Sequence, residues 1–269
     1  DLSSLFYPPD WLGLFLPLKW FVYTYYGLHL ALGGYFFSRY LRELDLGRAV
    51  SYSFGLIYAM SIHLAGYRKS HIVLIVPTVF LAVILYLIQK YLNTQKLRWL
   101  LGSAVAMAVV FMCGVIQYMV YIDLIVFLYL LIGGIHRKIP VRRIFIHGAA
   151  WGMSYFGMIC VQLLPVLGIM HYYSQAGASS PDYQYFTSYC MHPFKLIMML
   201  LPNIFGEEIL QPFGLFNSSE MDIEIFLGVG ILALLLFGLW RQKKQFRVRL
   251  LAFLAAGVLI YCVNAHLPL

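Results

Sequence analysis

Long apolar runs, separated by short polar or basic segments, dominate the chain. A membrane-spanning helix needs about 20 consecutive, mostly apolar residues, with a tolerated range of roughly 17 to 25. By that measure the runs predict eight membrane helices, at residues 20–41, 49–66, 71–92, 98–115, 117–135, 143–169, 223–240 and 249–264. We therefore expect an all-α protein, a polytopic membrane bundle of about eight transmembrane helices.

One apolar stretch, from Arg98 to Ile135, is too long for a single membrane helix. We expect a turn near Gly114 and Gln117, which divides the stretch into two helices. Asp123 then lies inside a span, where a carboxyl group normally faces the interior of the bundle.

The composition supports a membrane protein. Of the 269 residues, 62% are hydrophobic and only 11% are charged, whereas a soluble domain has roughly a quarter charged residues. Lipid-facing side chains must be apolar as well as the core, which explains the excess. Soluble enzymes, disordered scaffolds and DNA-binding domains are excluded. The four cysteines have no CxxC spacing and favour small core residues over a zinc site or a disulfide framework.

Basic residues follow alternate spans. Fifteen of the 19 Lys and Arg residues come after the first, third, fifth and seventh spans: Arg39, Arg42 and Arg48; Lys90, Lys96 and Arg98; Arg137, Lys138, Arg142 and Arg143; Arg241, Lys243, Lys244, Arg247 and Arg249. The positive-inside rule makes that side cytoplasmic. The membrane topology then accounts for the net charge of +8, and we expect no nucleic-acid partner. With eight spans, both ends of the chain are expected to lie outside the cytoplasm.

The segment 170–222 is long, aromatic and irregular. Its apolar part FKLIMMLL (194–201) is too short to span a membrane and is expected to form an interfacial helix. We expect one membrane domain over 1–269, with an outer segment (1–19), six spans (20–169), an extracytoplasmic loop (170–222) and two further spans (223–264). The chain opens without Met and stops directly after an apolar run, so we expect a fragment of a longer protein.

Several strings, in their order and spacing, resemble the bacterial YfhO-type membrane proteins of the GT-C glycosyltransferase superfamily. They are FYPPDWLGLFLP (6–17), LHLALGGYFFSRYL (28–41), VQLLPVLGIMHYYSQ (161–175), MLLPNIFGEE (199–208), EIFLGVGILAL (224–234) and NAHLPL (264–269). The ordered set, which covers nearly the whole chain, carries the resemblance. Two positions depart from the family pattern: Phe226 stands where the family often has the Tyr of Tyr-x-Gly, and Gln175 stands where an Arg often follows the Ser.

The resemblance implies a GT-C-like fold in a bacterial cell membrane, with an extracytoplasmic active face. It implies an enzyme that moves a sugar from a polyprenyl-phosphate donor to a cell-envelope glycopolymer or lipid acceptor, with membrane lipids as further partners. It also makes residues 1–19 the end of the first outer loop and places the family's catalytic carboxylate before Asp1. We therefore expect this chain alone to be inactive.

Such a transfer needs a carboxylate that deprotonates the acceptor and cations, or a divalent metal, that stabilise the departing phosphate. Within this chain the candidate catalytic carboxylates are Asp10 and Glu207. A solvated carboxylate at the membrane interface is the competing interpretation of Asp10. No pair of histidines, and no His/Glu pair, has zinc spacing, so the residues predict no metal site.

Four basic residues depart from the charge rule: Lys19, Arg68, Lys69 and Lys195. Lys19 is explained by snorkelling to head groups. Arg68 and Lys69, with the adjacent His71, are predicted to bind the donor phosphate, because a guanidinium fork and an ammonium point charge both suit phosphate oxygens. Lys195 is predicted to close the same site. Contact with anionic lipid head groups is the alternative for all of these cations.

The tyrosine cluster at 172–189 offers a sugar-binding surface. Tyr173 is the predicted contact, because an aromatic ring stacks on the apolar face of a sugar. An aromatic belt at the membrane interface is the alternative for these tyrosines.

Two other function classes compete with a transferase. A transporter or flippase of a lipid-linked saccharide should line its pathway with polar groups at the bilayer midplane, and the chain offers Asp123, His29, His63 and Gln162 there. That set is sparse, and the richer polar content of 170–222 favours chemistry at the outer surface. A non-catalytic membrane scaffold is the third class.

Overall fold

A computed structural model of the chain describes residues 6–61, 75–114, 116–175, 196–197, 201 and 229–263. All regular structure in these ranges is helical: a 3₁₀ helix, Pro8–Leu14, and eight α-helices. The α-helices are α1 (Leu18–Glu43), α2 (Arg48–Met60), α3 (Ile75–Thr94), α4 (Leu97–Met112), α5 (Ile116–His136), α6 (Val141–Gln175), α7 (Val229–Gln242) and α8 (Phe246–Val263). Each predicted span overlaps one α-helix, which confirms the all-α prediction.

Three segments of these helices are long and apolar enough to cross a membrane: Ile75–Thr94, Met119–His136 and Val141–Ile169. The helix α6 also exposes large apolar side chains, with Phe145 74% and Met153 71% exposed. Apolar groups in such numbers on a helix surface are expected where lipid replaces water. These findings support a helical membrane protein. The number of membrane crossings stays a prediction.

The chain divides into two compact units, Asp1–Tyr172 and Tyr173–Leu269. The boundary falls at the start of the loop predicted at 170–222. In the first unit, α3 is the central helix: it packs against α1, α4 and α5, and Ile75, Ile84 and Ile88 on it are completely buried. In the second unit, α7 packs against α8.

The crossing of α1 and α2 depends on small residues. Ser51, Gly55 and Ala59 are the buried residues of α2, and their spacing of four places them on one face of the helix. A Cβ atom at Gly55 would lie 2.6 Å from the carbonyl oxygen of Gly34 and 2.8 Å from the Cβ of Ser38. The two backbones therefore touch, as in the small-xxx-small packing of membrane helices.

Short turns join consecutive helices. Asp45 (φ 67°) follows α1 and Lys138 (φ 55°) follows α5 in the left-handed conformation. At each turn the next residue donates a backbone hydrogen bond to the helix, from Leu46 to Leu41 and from Ile139 to Gly134, which is the Schellman pattern of helix termination. The break predicted near Gly114 is confirmed, because α4 ends at Met112 and Gly114 has a φ of 85°, whereas Gln117 already lies in α5.

The C-terminal ends of α1, α3 and α5 lie together, and we call this the basic end of the first unit. Asn93 donates hydrogen bonds to the backbone oxygen and the carboxylate of Glu43, and Arg137 donates to the carbonyl of Leu92. Because three helices end here and α2, α4 and α6 begin after short turns, helices alternate in direction. The basic segments after the first, third and fifth predicted spans therefore share one end.

Candidate functional site

The 3₁₀ helix carries Asp10 and covers the N-terminal half of α1. Pro8 and Pro9 open this helix, where their fixed φ and missing N–H groups suit a helix start. The preceding residue, Tyr7, is only 1% exposed and packs into a core with Tyr25, Val76 and Cys113. We call Tyr7, Asp10, Tyr25, His29 and Cys113 the Tyr7 cluster.

Both ring nitrogens of His29 are hydrogen-bonded inside the cluster. Nδ1 lies 2.7 Å from the carbonyl oxygen of Tyr25, and Nε2 lies 2.5 Å from the hydroxyl of Tyr7. Since a carbonyl only accepts, Nδ1 carries the proton of the neutral imidazole and Nε2 accepts from Tyr7. The Tyr25 ring stacks on the imidazole, with centroids 4.1 Å apart. The orientation of His29 is therefore fixed.

Asp10 is half-buried and lacks a complete set of partners. Its carboxylate acts electrostatically on Tyr7, Tyr25 and Cys113. Oδ1 of Asp10 and the hydroxyl of Tyr25 are both buried, and the Tyr25 hydroxyl interacts with the Asp10 side chain, although neither atom has a partner at full hydrogen-bond geometry among the described residues. An unsatisfied buried acceptor costs about 1–3 kcal/mol. A group that donates a hydrogen bond to Asp10 would recover that cost.

Burial raises the pKa of Tyr7 far above its usual value, and the neighbouring Cys113 and Asp10 act in the same direction. Tyr7 therefore stays protonated and keeps donating to His29. In the cluster, Oδ1 of Asp10 is an acceptor that Tyr25 satisfies only in part, while Tyr7 and His29 hold each other in place. Chemically, the arrangement suits recognition of a hydroxyl group by a carboxylate on a rigid support.

A second polar contact lies within two of the candidate membrane spans. The hydroxyl of Tyr155 on α6 donates to Oδ2 of Asp123 on α5 at 3.3 Å. The other oxygen, Oδ1, is buried and has no partner in the described part of the chain. Asp123 thus faces a neighbouring helix.

No metal centre is formed by the described residues: they contain no group of three or more His, Cys, Asp or Glu side chains that could hold an ion. In the Tyr7 cluster, Asp10 could supply one ligand, but both nitrogens of His29 are already bonded. These side chains do not by themselves fit the divalent cation that phosphate release could use.

The remaining predicted site residues lie outside the described residues: Glu207, Arg68, Lys69, His71 and Lys195, together with the side chain of Tyr173. Most of the interfacial segment predicted at 194–201 lies outside them too. The structure thus tests only the surroundings of Asp10 among the predicted site residues. The carboxylate is half-buried beside the Tyr7–His29 pair, and its role stays a prediction.

Sequence reasoning missed the partners of Asp10. In the sequence, His29 stands only among the polar groups of the predicted spans, and Tyr7 only within the string FYPPDWLGLFLP. The spacing of four between Tyr25 and His29 could have placed these two on one helix face. No local pattern indicates the Tyr7–His29 bond, because 22 residues separate the partners.

Comparisons with protein-family models, with curated proteins and with solved structures found no match to this chain. The class that the described residues define is a helical protein with three candidate membrane spans.

Proposed function

We propose that this chain is part of a GT-C-type glycosyltransferase, which moves a sugar from a polyprenyl-phosphate donor to an extracytoplasmic acceptor in a bacterial cell membrane. The observation that carries the proposal is the half-buried carboxylate of Asp10 beside the Tyr7–His29 pair, with one buried oxygen that, among the described residues, Tyr25 satisfies only in part. The resemblance of the ordered strings to the YfhO-type proteins supports it.

The location of Asp10 agrees with chemistry at an outer face. From Glu43 at the basic end, α1 runs back through 14 residues to His29, or about 21 Å at 1.5 Å per residue. If the basic end faces the cytoplasm, the Tyr7 cluster lies towards the other face. A lipid-linked donor presents its sugar at a membrane surface, where a carboxylate held on a rigid support can orient a hydroxyl group.

In the proposed reaction, Asp10 accepts a hydrogen bond from the acceptor hydroxyl or from a sugar hydroxyl, and so positions it for attack. Deprotonation of the acceptor is left to the family carboxylate expected before Asp1. Arg68, Lys69 and His71 bind the donor phosphate in this reaction. Ile75, which follows segment 62–74 in the sequence, belongs to the same core as Tyr7.

The test is sugar transfer by the intact protein in proteoliposomes, with a radiolabelled polyprenyl-phosphate hexose as donor and envelope extract as acceptor. Asp10→Asn should lower transfer at least tenfold, because the amide replaces an acceptor oxygen by a donor. Asp45→Asn is the matched control. Asp45 is exposed at the basic end in a left-handed conformation, which Asn tolerates, so this variant should transfer normally. Equal activity in both variants would exclude a role for Asp10.

A transporter or flippase of a lipid-linked saccharide is the second candidate, and Asp123 favours it. Ionisable groups inside membrane segments mark transport pathways and proton relays, and one oxygen of Asp123 has no partner among the described residues. Asp123→Asn separates the two functions. A transporter loses movement of the labelled lipid between leaflets in this variant, whereas a transferase with its site at the Tyr7 cluster keeps its transfer activity.

A further inference from the structure

Three cations converge on two aromatic rings near the basic end. Lys90 on α3 donates to the Tyr86 hydroxyl at 2.6 Å, and its ammonium lies 4.1 Å from the centre of the Trp99 ring. The Cζ atom of Arg98 lies 4.9 Å from the centre of the same ring. Arg39 on α1 also interacts with the Tyr86 hydroxyl. We call Arg39, Lys90 and Arg98, with Tyr86 and Trp99, the cation cluster.

The cluster has an excess of positive charge. None of its three cations forms an ion pair with a carboxylate in the described part of the chain; their polar and aromatic contacts are with Tyr86 and Trp99. A phenol hydroxyl and an indole face reduce the repulsion between neighbouring cations only partly, since a cation–π contact contributes about 0.5–1 kcal/mol at exposed sites. Among the described residues, no carboxylate is paired with these cations.

The start of α4 adds to this positive potential. Arg98 lies in its first turn, no acidic residue is present there, and no side chain caps the helix at Lys96. The N-terminus of an α-helix carries about half a positive charge and exposes unpaired N–H groups. Cations at this position are therefore unfavourable unless an anion compensates them.

We propose that the cation cluster is a phosphate-binding site. An ester phosphate or inorganic phosphate would accept hydrogen bonds from Arg39, Lys90 and Arg98, and Trp99 and Tyr86 would lie beside it as aromatic residues do at the head-group level. The cluster belongs to the basic end, and so it is separate from the Tyr7 cluster and independent of the proposed transferase activity. The phosphate can come from an anionic lipid head group or from solution, and both sources share this chemistry.

Two measurements on the intact protein distinguish the sources. In nanodiscs of mixed lipid, native mass spectrometry counts the phosphatidylglycerol molecules that stay bound, with phosphatidylcholine as the reference. In nanodiscs of phosphatidylcholine alone, calorimetric titration with inorganic phosphate measures binding from solution. The variants are Lys90→Gln and Arg39→Gln. The matched control is Lys96→Gln, because Lys96 is an exposed lysine in the short turn between α3 and α4. Circular dichroism checks that each variant is folded.

We expect each cluster variant to weaken binding about fivefold, which corresponds to one charge near a membrane surface. Lys96→Gln should bind like the unaltered protein, and Arg39→Lys should retain binding because it keeps the charge. If the cluster variants lose bound phosphatidylglycerol, the ligand is a head-group phosphate. If they lose binding of inorganic phosphate in the calorimetric titration, the ligand is free phosphate. The proposal is overturned if Lys96→Gln weakens binding as much as Lys90→Gln, which would indicate diffuse attraction only, or if the unaltered protein binds neither probe.

Discussion

The residue that best explains the Tyr7 cluster is His29. Its two hydrogen bonds connect the 3₁₀ helix with α1: Nε2 accepts from Tyr7, and Nδ1 donates to the backbone of Tyr25. The sequence indicated Asp10 as a candidate because an acidic residue follows two prolines in the outer segment. It could not indicate His29 as its neighbour, because that contact arises only when the chain folds back on α1.

The Tyr7–His29 bond should contribute measurably to stability. Tyr7→Phe removes the hydroxyl and leaves Nε2 of a histidine that is 4% exposed without its donor. An unsatisfied buried group costs about 1–3 kcal/mol, so the variant should unfold at lower temperature in detergent. Tyr23→Phe is the control, since Tyr23 is 62% exposed. Equal melting temperatures of Tyr7→Phe and the unaltered protein would show that this bond does not stabilise the fold.

At the scale of the elements, hydrophobic runs predicted helix positions well and helix ends less well. The break at Gly114 was predictable because an apolar run of that length cannot be one helix. The second span was expected over 49–66, but α2 ends at Met60, where Ser61 is extended (ψ 143°). Such an end depends on the local backbone, to which hydropathy is insensitive. The close contact of Gly34 with Gly55 likewise depends on how two helices cross.

The α1–α2 contact gives a prediction for glycine substitutions. Gly55→Ala should destabilise the protein, because its Cβ would lie 2.6 Å from the backbone oxygen of Gly34 and the helices must separate. Gly157→Ala on α6 is the matched control: a Cβ at Gly157 meets nothing within 4 Å, and Ala is favoured over Gly in a helix by about 1 kcal/mol. Denaturation in detergent measures both. Similar effects in the two variants would contradict close packing at Gly55.

At the scale of the whole molecule, the described first unit has two chemically different ends. The hydrogen bonds of Asn93 and Arg137 gather the turns after α1, α3 and α5 at one end, and the sequence fills these segments with cations. The Tyr7 cluster lies along the N-terminal half of α1. The alternation of charged loops predicted this arrangement without any knowledge of contacts, because helices joined by short turns must alternate in direction.

We expect the basic end to face the cytoplasm and the Tyr7 cluster to lie towards the outside. Two matched positions test it: Lys19 and Arg142 are both exposed basic residues, each the second residue of its helix, α1 and α6. Intact bacteria that express Lys19→Cys or Arg142→Cys are treated with a membrane-impermeant maleimide, with the unaltered protein as baseline. We expect labelling of Lys19→Cys in intact cells and of Arg142→Cys only after permeabilisation. Labelling of Arg142→Cys in intact cells would contradict a cytoplasmic location of the basic end.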